Sequence, residues 1–204
     1  ILQIDPKWFS LQSFKIKKHY FTGTLLVASL FISNFLNFLF NAYLGRELNY
    51  ETLGLVSLIN SFLYLVSIPL IAIGTTVNYQ TGFLETRYGK EHAYTFLSGL
   101  GEKLLQISLA LSIIWLVSAP LLMDYFKLDN LFPLLLFMPA LLVGFILTAN
   151  KGFLTGKLLF LVSSIIIVLE PLTKLIVAAI LINLNLSEWV YTAIPFAFIP
   201  PFLV

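Results

Sequence analysis

The sequence predicts an all-α integral membrane protein, a polytopic bundle of six transmembrane helices. Three observations predict it. Hydrophobic residues make up 59% of the chain and charged residues only 11%, with a mean hydropathy of +0.94. A soluble domain carries roughly 25% charged residues, so this chain has too few to cover its own surface in water. The apolar runs are long and continuous, where a transmembrane barrel would show alternating segments of about ten residues. The basic residues fall on alternate connections between the runs, as short membrane loops require.

A span needs about 20 mostly apolar residues. Charge-free runs place span 1 at Tyr20–Leu44, span 2 from Thr52, span 3 at Leu104–Met123, span 4 from Leu131, span 5 at Leu158–Ile182 and span 6 from Trp189. In rounded form they cover 20–44, 52–78, 102–123, 131–150, 157–183 and 188–204, together a six-helix transmembrane lobe over 20–204. Span 2 stays uncharged to Leu84, longer than the hydrocarbon layer, so its far end is expected to project into water. The segment 1–19 is expected to be a cytoplasmic interfacial amphipathic helix. Its Trp8, Phe9, Phe14 and Ile16 would dip into the headgroup boundary beside Lys7, Lys15, Lys17 and Lys18. Glu85–Lys103 is expected to be a second cytoplasmic element, broken near Gly99 and Gly101. Gly152 and Gly156 read as a tight cytoplasmic turn between spans 4 and 5.

Nine basic residues fall on one side of this arrangement: Lys7, Lys15, Lys17, Lys18, Arg87, Lys90, Lys103, Lys151 and Lys157. Only Arg46 and Lys127 fall on the other. The bias orients the N-terminus toward the cytoplasm. The expected location is the plasma (inner) membrane of a prokaryote, crossed several times. No cysteine is present, and the two histidines, His19 and His92, stand apart, so neither a redox pair nor a metal centre is expected. The chain begins at Ile1 and ends in an apolar run at Val204, which reads as a piece of a longer protein. No internal repeat is visible.

Polar residues inside a span need partners, because lipid supplies none. Asn34, Asn37 and Asn41 lie within about 60° of one another on span 1. Ser57, Asn60, Ser61, Tyr64 and Ser67 form one face of span 2. Each stripe either glues helices together or lines a polar cavity. Glu170 and Lys174 stand mid-way along span 5. Two central charges oppose insertion by about 5–7 kcal/mol, while the 17 Leu, Ile, Val and Phe residues of the span favour it by about 5–10 kcal/mol. The span inserts narrowly, and the glutamate four residues before the lysine is the favoured order for a pair on one helix. Ionisable groups at this depth are functional candidates by default. Pro171 between them, and Pro69 in span 2, remove a backbone donor and are the candidate hinges.

Several segments resemble a known family. The run NAYLGRELNYETLGLVSLINS, Asn41–Ser61, resembles the first hairpin of the polysaccharide-type flippases: an arginine after span 1, a short acidic turn, then Gly-Leu opening span 2. The run NKGFLTGKLLFLVSSIIIVLEPLTKLIVAAILINL, Asn150–Leu184, resembles their span 4–5 pattern, with a Gly-x-Leu-x-Gly-like turn and a Glu followed by a basic residue. ETRYGKEHAYTFLSGLGEK resembles their cytoplasmic connection. These proteins belong to the multidrug/oligosaccharidyl-lipid/polysaccharide (MOP) exporter superfamily. The resemblance covers nearly the whole chain, as the N-terminal half of such a protein. One departure is the uncharged stretch Thr75–Gly82, where relatives often carry a basic residue.

The resemblance implies the N-terminal lobe of a two-lobed transporter working by alternating access. It implies a polyprenyl-pyrophosphate-linked oligosaccharide, a cell-surface polysaccharide precursor, as cargo. It implies no enzymatic activity and no cofactor. A coupling ion, H+ or Na+, membrane lipids, and the glycosyltransferases and polymerase of glycan assembly are the implied partners; nucleic acid is not. Lys174 would meet the pyrophosphate, with Asn34, Asn37, Asn41, Ser57, Asn60, Ser61 and Tyr64 around the cavity. Glu170 would neutralise Lys174 between substrates or carry a coupling proton. The competing readings are a drug/cation antiporter of the same superfamily, a membrane polymerase or ligase, and a structural membrane subunit. The first leans on cavity acids, which span 1 lacks. The second calls for a large external loop, where this chain has short ones.

Overall fold

A computed structural model describes the backbone of residues 6–203 and the side chains of residues 23–201. It is helical throughout, with no strand among the described residues. Helix α1 is Pro6–Glu47, α2 Tyr50–Tyr88, α3 Lys90–Phe126, α4 Phe132–Leu135, α5 Phe137–Gly156 and α6 Phe160–Asn183. Five stretches are long and apolar enough to cross a membrane: Gly23–Glu47, Tyr50–Tyr88, Lys90–Phe126, Phe132–Gly156 and Phe160–Asn183. They coincide with the first five expected spans. The amphipathic reading of residues 1–19 concerns side chains outside the described ones; the backbone from Pro6 onward belongs to α1.

The sixth expected span is not one long helix. From Ser187 the chain forms a 3-10 turn, Ser187–Thr192, and two short helices, α7 (Ala193–Phe196) and α8 (Ile199–Leu203). Pro195 lies in α7, and Pro200 and Pro201 lie in α8. A proline suits the first turn of a helix, where no backbone donor is needed, and cannot continue one already running. The prolines therefore restart the helix rather than extend it.

The connection between spans 2 and 3 also differs from expectation. There is no separate element over Glu85–Lys103: α2 and α3 together absorb it. The break falls at Gly89, whose φ of 93° L-residues rarely adopt. Gly99 and Gly101 lie inside α3 without interrupting it. With 39 and 37 residues, α2 and α3 are about 55–60 Å long, roughly twice the hydrocarbon thickness. At its other end α2 begins on Asn49, whose Oδ1 accepts from Thr52 N at 2.9 Å, a side-chain cap.

The central element is α5. Half of the apolar window of Phe132–Gly156 is buried (50%), against 11% for the spans of α1 and α2. Helix α5 packs on α2 and α3, while α1 packs chiefly on α6. Small residues bring α5 onto α2. A Cβ on Gly152 would stand 2.6 Å from the Gly74 carbonyl oxygen, and one on Gly156 2.6 Å from that of Asn78. Gly152 and Gly156 are thus a helix-packing face, not the expected turn. The spacing of four residues aligns them on one side of α5, where backbones can approach. The turn itself follows at Lys157–Leu159, with Leu158 at φ 59°. Elsewhere Trp115 Nε1 of α3 donates to the Leu134 carbonyl of α4 at 2.7 Å, and its ring packs beside Phe62 and Phe137.

Many large apolar side chains point outward, among them Phe31, Leu65, Ile68, Val117 and Leu121. On a soluble domain this would be an aggregation surface; on a helical bundle of this composition it is the lipid-facing one.

Candidate functional site

Lys174 projects from α6 to the place where α1, α2 and α6 meet. Its Nζ donates to Asn60 Oδ1 of α2 at 3.0 Å and stands 4.2 Å from the centre of the Phe40 ring of α1. Phe40 is fully buried. An amide oxygen and an aromatic face are the mild partners of a cation: each stabilises the charge without neutralising it. Among the described residues Lys174 has no carboxylate within 4 Å.

The expected Glu170–Lys174 pair is replaced. Glu170 Oε2 accepts from Lys151 Nζ of α5 at 2.8 Å, with both side chains about a quarter to a third exposed. Extending α5 through Gly152 to Gly156 explains the exchange, because it places Lys151 inside the helix and opposite Glu170. Lys174 is drawn instead toward Asn60 and Phe40. About two helical turns nearer the start of α6, Ser163 Oγ and Thr155 Oγ1 of α5 lie 2.9 Å apart. The α5–α6 seam therefore carries an ion pair and a hydroxyl pair. Ser164, beside them in sequence, is buried with its hydroxyl unpaired among the described residues.

The other members of the polar stripes stay apart from Lys174. Asn37 Nδ2 donates to the Ser33 carbonyl and Asn41 Nδ2 to that of Asn37, both within α1. Ser61 donates to the Ser57 carbonyl and Ser67 to that of Tyr64, both within α2. Asn34, Asn41, Ser57, Ser61 and Tyr64 are exposed. These groups do not glue the described helices to one another; they present a polar strip on the outer face of α1 and α2. Pro69 and Pro171 each lie inside a helix that is assigned without interruption, and Pro171 is buried. No group of three or more His, Cys, Asp or Glu side chains could hold a metal ion among the described residues.

Family models, curated proteins and solved structures were each compared with the chain, without a match. The case for function rests on the site.

Sequence reasoning missed Lys151 because Lys151 and Lys157 bracket two glycines, which resembles a turn. The signal that would have found it is the spacing Thr148, Gly152, Gly156, which continues one helical face past the point where hydropathy falls.

Proposed function

We propose that this chain is one lobe of a membrane transporter that moves a lipid-linked anion by alternating access, a flippase of the polysaccharide type. The cargo class is a polyprenyl-pyrophosphate-linked oligosaccharide. One observation carries this reading: a lysine, mid-way along a spanning helix, rests on an amide and a ring and has no counter-charge within ion-pair distance among the described residues. A cation held this way is ready to take an anionic group, because no carboxylate has to be displaced. The engagement of Glu170 by Lys151 supports an anion rather than a cation as cargo, since the acid of α6 is already paired.

The exposed polar strip on α1 and α2 supports a water-filled passage along those helices, down which a glycan could travel. The nine-to-two distribution of basic residues supports a cytoplasmic N-terminus, with the Gly89 and Lys157 connections on the same side. The reading names a plasma-membrane protein with H+ or Na+ as coupling ion and with the enzymes of glycan assembly as functional partners.

The test is translocation of a purified lipid-linked glycan in vesicles. Lys174→Ala is expected to abolish translocation while the protein still inserts and keeps its helical signal, and Lys174→Arg to retain part of it. A wild-type rate in Lys174→Ala overturns the assignment.

A further inference from the structure

A second candidate site lies at the opposite end of the bundle from the lysine-rich connections. Three chain segments converge there: the start of α2, the α3–α4 connection and the 3-10 turn after α6. They enclose a cavity of about 580 Å³, within the range of about 300–1,000 Å³ usual for small-ligand pockets. Its walls hold Glu51, Asp129 and Glu188 against a single cation, Lys127. None of the four makes an ion pair within 4 Å among the described residues.

Three aromatic side chains, Phe126, Trp189 and Tyr191, complete the cavity. Trp189 is 44% exposed at its wall, stacked 6.2 Å from Tyr191 and met edge-on by Phe132 at 5.5 Å. The indole is therefore held by two neighbouring rings while 44% of it stays exposed. Tyr191 is only 5% exposed, yet its hydroxyl has no hydrogen-bond partner among the described residues and is not fully enclosed. A buried phenol normally finds a partner. This one lines the cavity, so its missing partner belongs there. Burial pushes the phenol above its ordinary value, which keeps the O–H as a donor.

We infer that this cavity is a saccharide-binding cleft. A sugar ring offers an apolar C–H face to the exposed indole and a rim of hydroxyls to carboxylates, amide and phenol. Carboxylates accept from hydroxyls, and the Tyr191 O–H donates back. With three carboxylates against one ammonium, the cleft takes neutral or amine-bearing sugars and repels uronates. The inference deepens the proposed function, and rests on it for the idea that the glycan part of the cargo is what docks here.

The full chain in a sugar-free detergent, probed by saturation-transfer NMR with free glucose, glucosamine and glucuronate, tests it. Glucose and glucosamine are expected to receive saturation and glucuronate not. Trp189→Ala is expected to reduce the transfer at least tenfold and Trp189→Phe to retain most of it, with helical circular dichroism confirming the fold of each. Tyr191→Phe removes one hydrogen bond and is expected to weaken binding roughly fivefold. No transfer to any of the three sugars, equal transfer to glucuronate, or transfer that survives Trp189→Ala overturns the cleft. Lys174→Ala separates the two readings, since it should keep the NMR signal and lose translocation. Lys174-dependent translocation without sugar binding sinks the cleft alone. Sugar binding with translocation indifferent to Lys174 sinks the flippase reading alone.

Discussion

The α2–α5 seam and the inner face of α6 are built by opposite means. Along the first, glycines let two backbones touch: a Cβ on Gly152 or Gly156 would stand 2.6 Å from a carbonyl oxygen of α2. Along the second, polar side chains reach across: Lys151 to Glu170, Thr155 to Ser163, and Lys174 to Asn60. Lipid tails are as apolar as leucine, so apolar area alone gives two spanning helices little reason to associate. Close contact and interhelical hydrogen bonds must do it, and this chain puts each in a different seam. A seam of close contact tolerates no added atom. A seam of polar pairs tolerates substitution and can rearrange.

The largest effect should come from the close seam. Gly156→Leu places a side chain against both the Asn78 carbonyl and the Thr81 Cβ, 2.8 Å from the latter. The helices must separate, and loss of the folded, detergent-stable monodisperse species is expected by size-exclusion chromatography. Gly99→Leu is the control: nothing lies within 4 Å of a Cβ there, so the elution profile should not change. If both glycines tolerate leucine equally, the contrast between the seams is wrong.

Next comes the ion pair. Lys151→Ala leaves Glu170 unpaired in a partly exposed site, and a loss of about 1–2 kcal/mol is expected, read as a lower melting temperature. The double variant Lys151→Ala/Glu170→Gln should recover part of that loss, because the orphaned charge is gone. Absence of recovery would mean that the pair is not coupled. In transport, Glu170→Gln is expected to remove dependence on a pH gradient if Glu170 carries the coupling proton. Unchanged gradient dependence would leave the pair a structural one.

The smallest effect belongs to the hydroxyl pair. Interhelical hydrogen bonds in membranes average about 0.6 kcal/mol. Ser163→Ala should therefore shift stability by roughly that amount, while Thr155 keeps its bond to the Lys151 carbonyl. A shift several times larger would mean that Ser163 does more than bridge to Thr155.

Part of this molecule was legible without coordinates. Glu170 and Lys174 stand out in VLEPLTKLIV because so few charges interrupt the runs, and the first five spans follow from run length alone. Sequence suggested a separate element over Glu85–Lys103 broken near Gly99 and Gly101, since a glycine inside a helix and a glycine between helices look alike. Of these three glycines only Gly89 has the positive φ that ends one helix and starts the next. Gly152 and Gly156 were ambiguous for the same reason: packing partners, not local propensity, decide whether a glycine turns the chain or clears a path for a neighbouring backbone.

What the sequence by itself determined is the environment. Hydropathy and charge count depend on composition, and run length alone placed the five segments that are long and apolar enough to cross a membrane. What only the tertiary structure decided is partnership. Glu170 had Lys174 four residues away and Lys151 nineteen residues away, and geometry chose the distant one at 2.8 Å. Lys174 was thereby left to Asn60, 114 residues away along the chain. Side chains of this length reach two or three neighbours, and which one they meet is set by how α1, α2, α5 and α6 cross, which no single helix encodes.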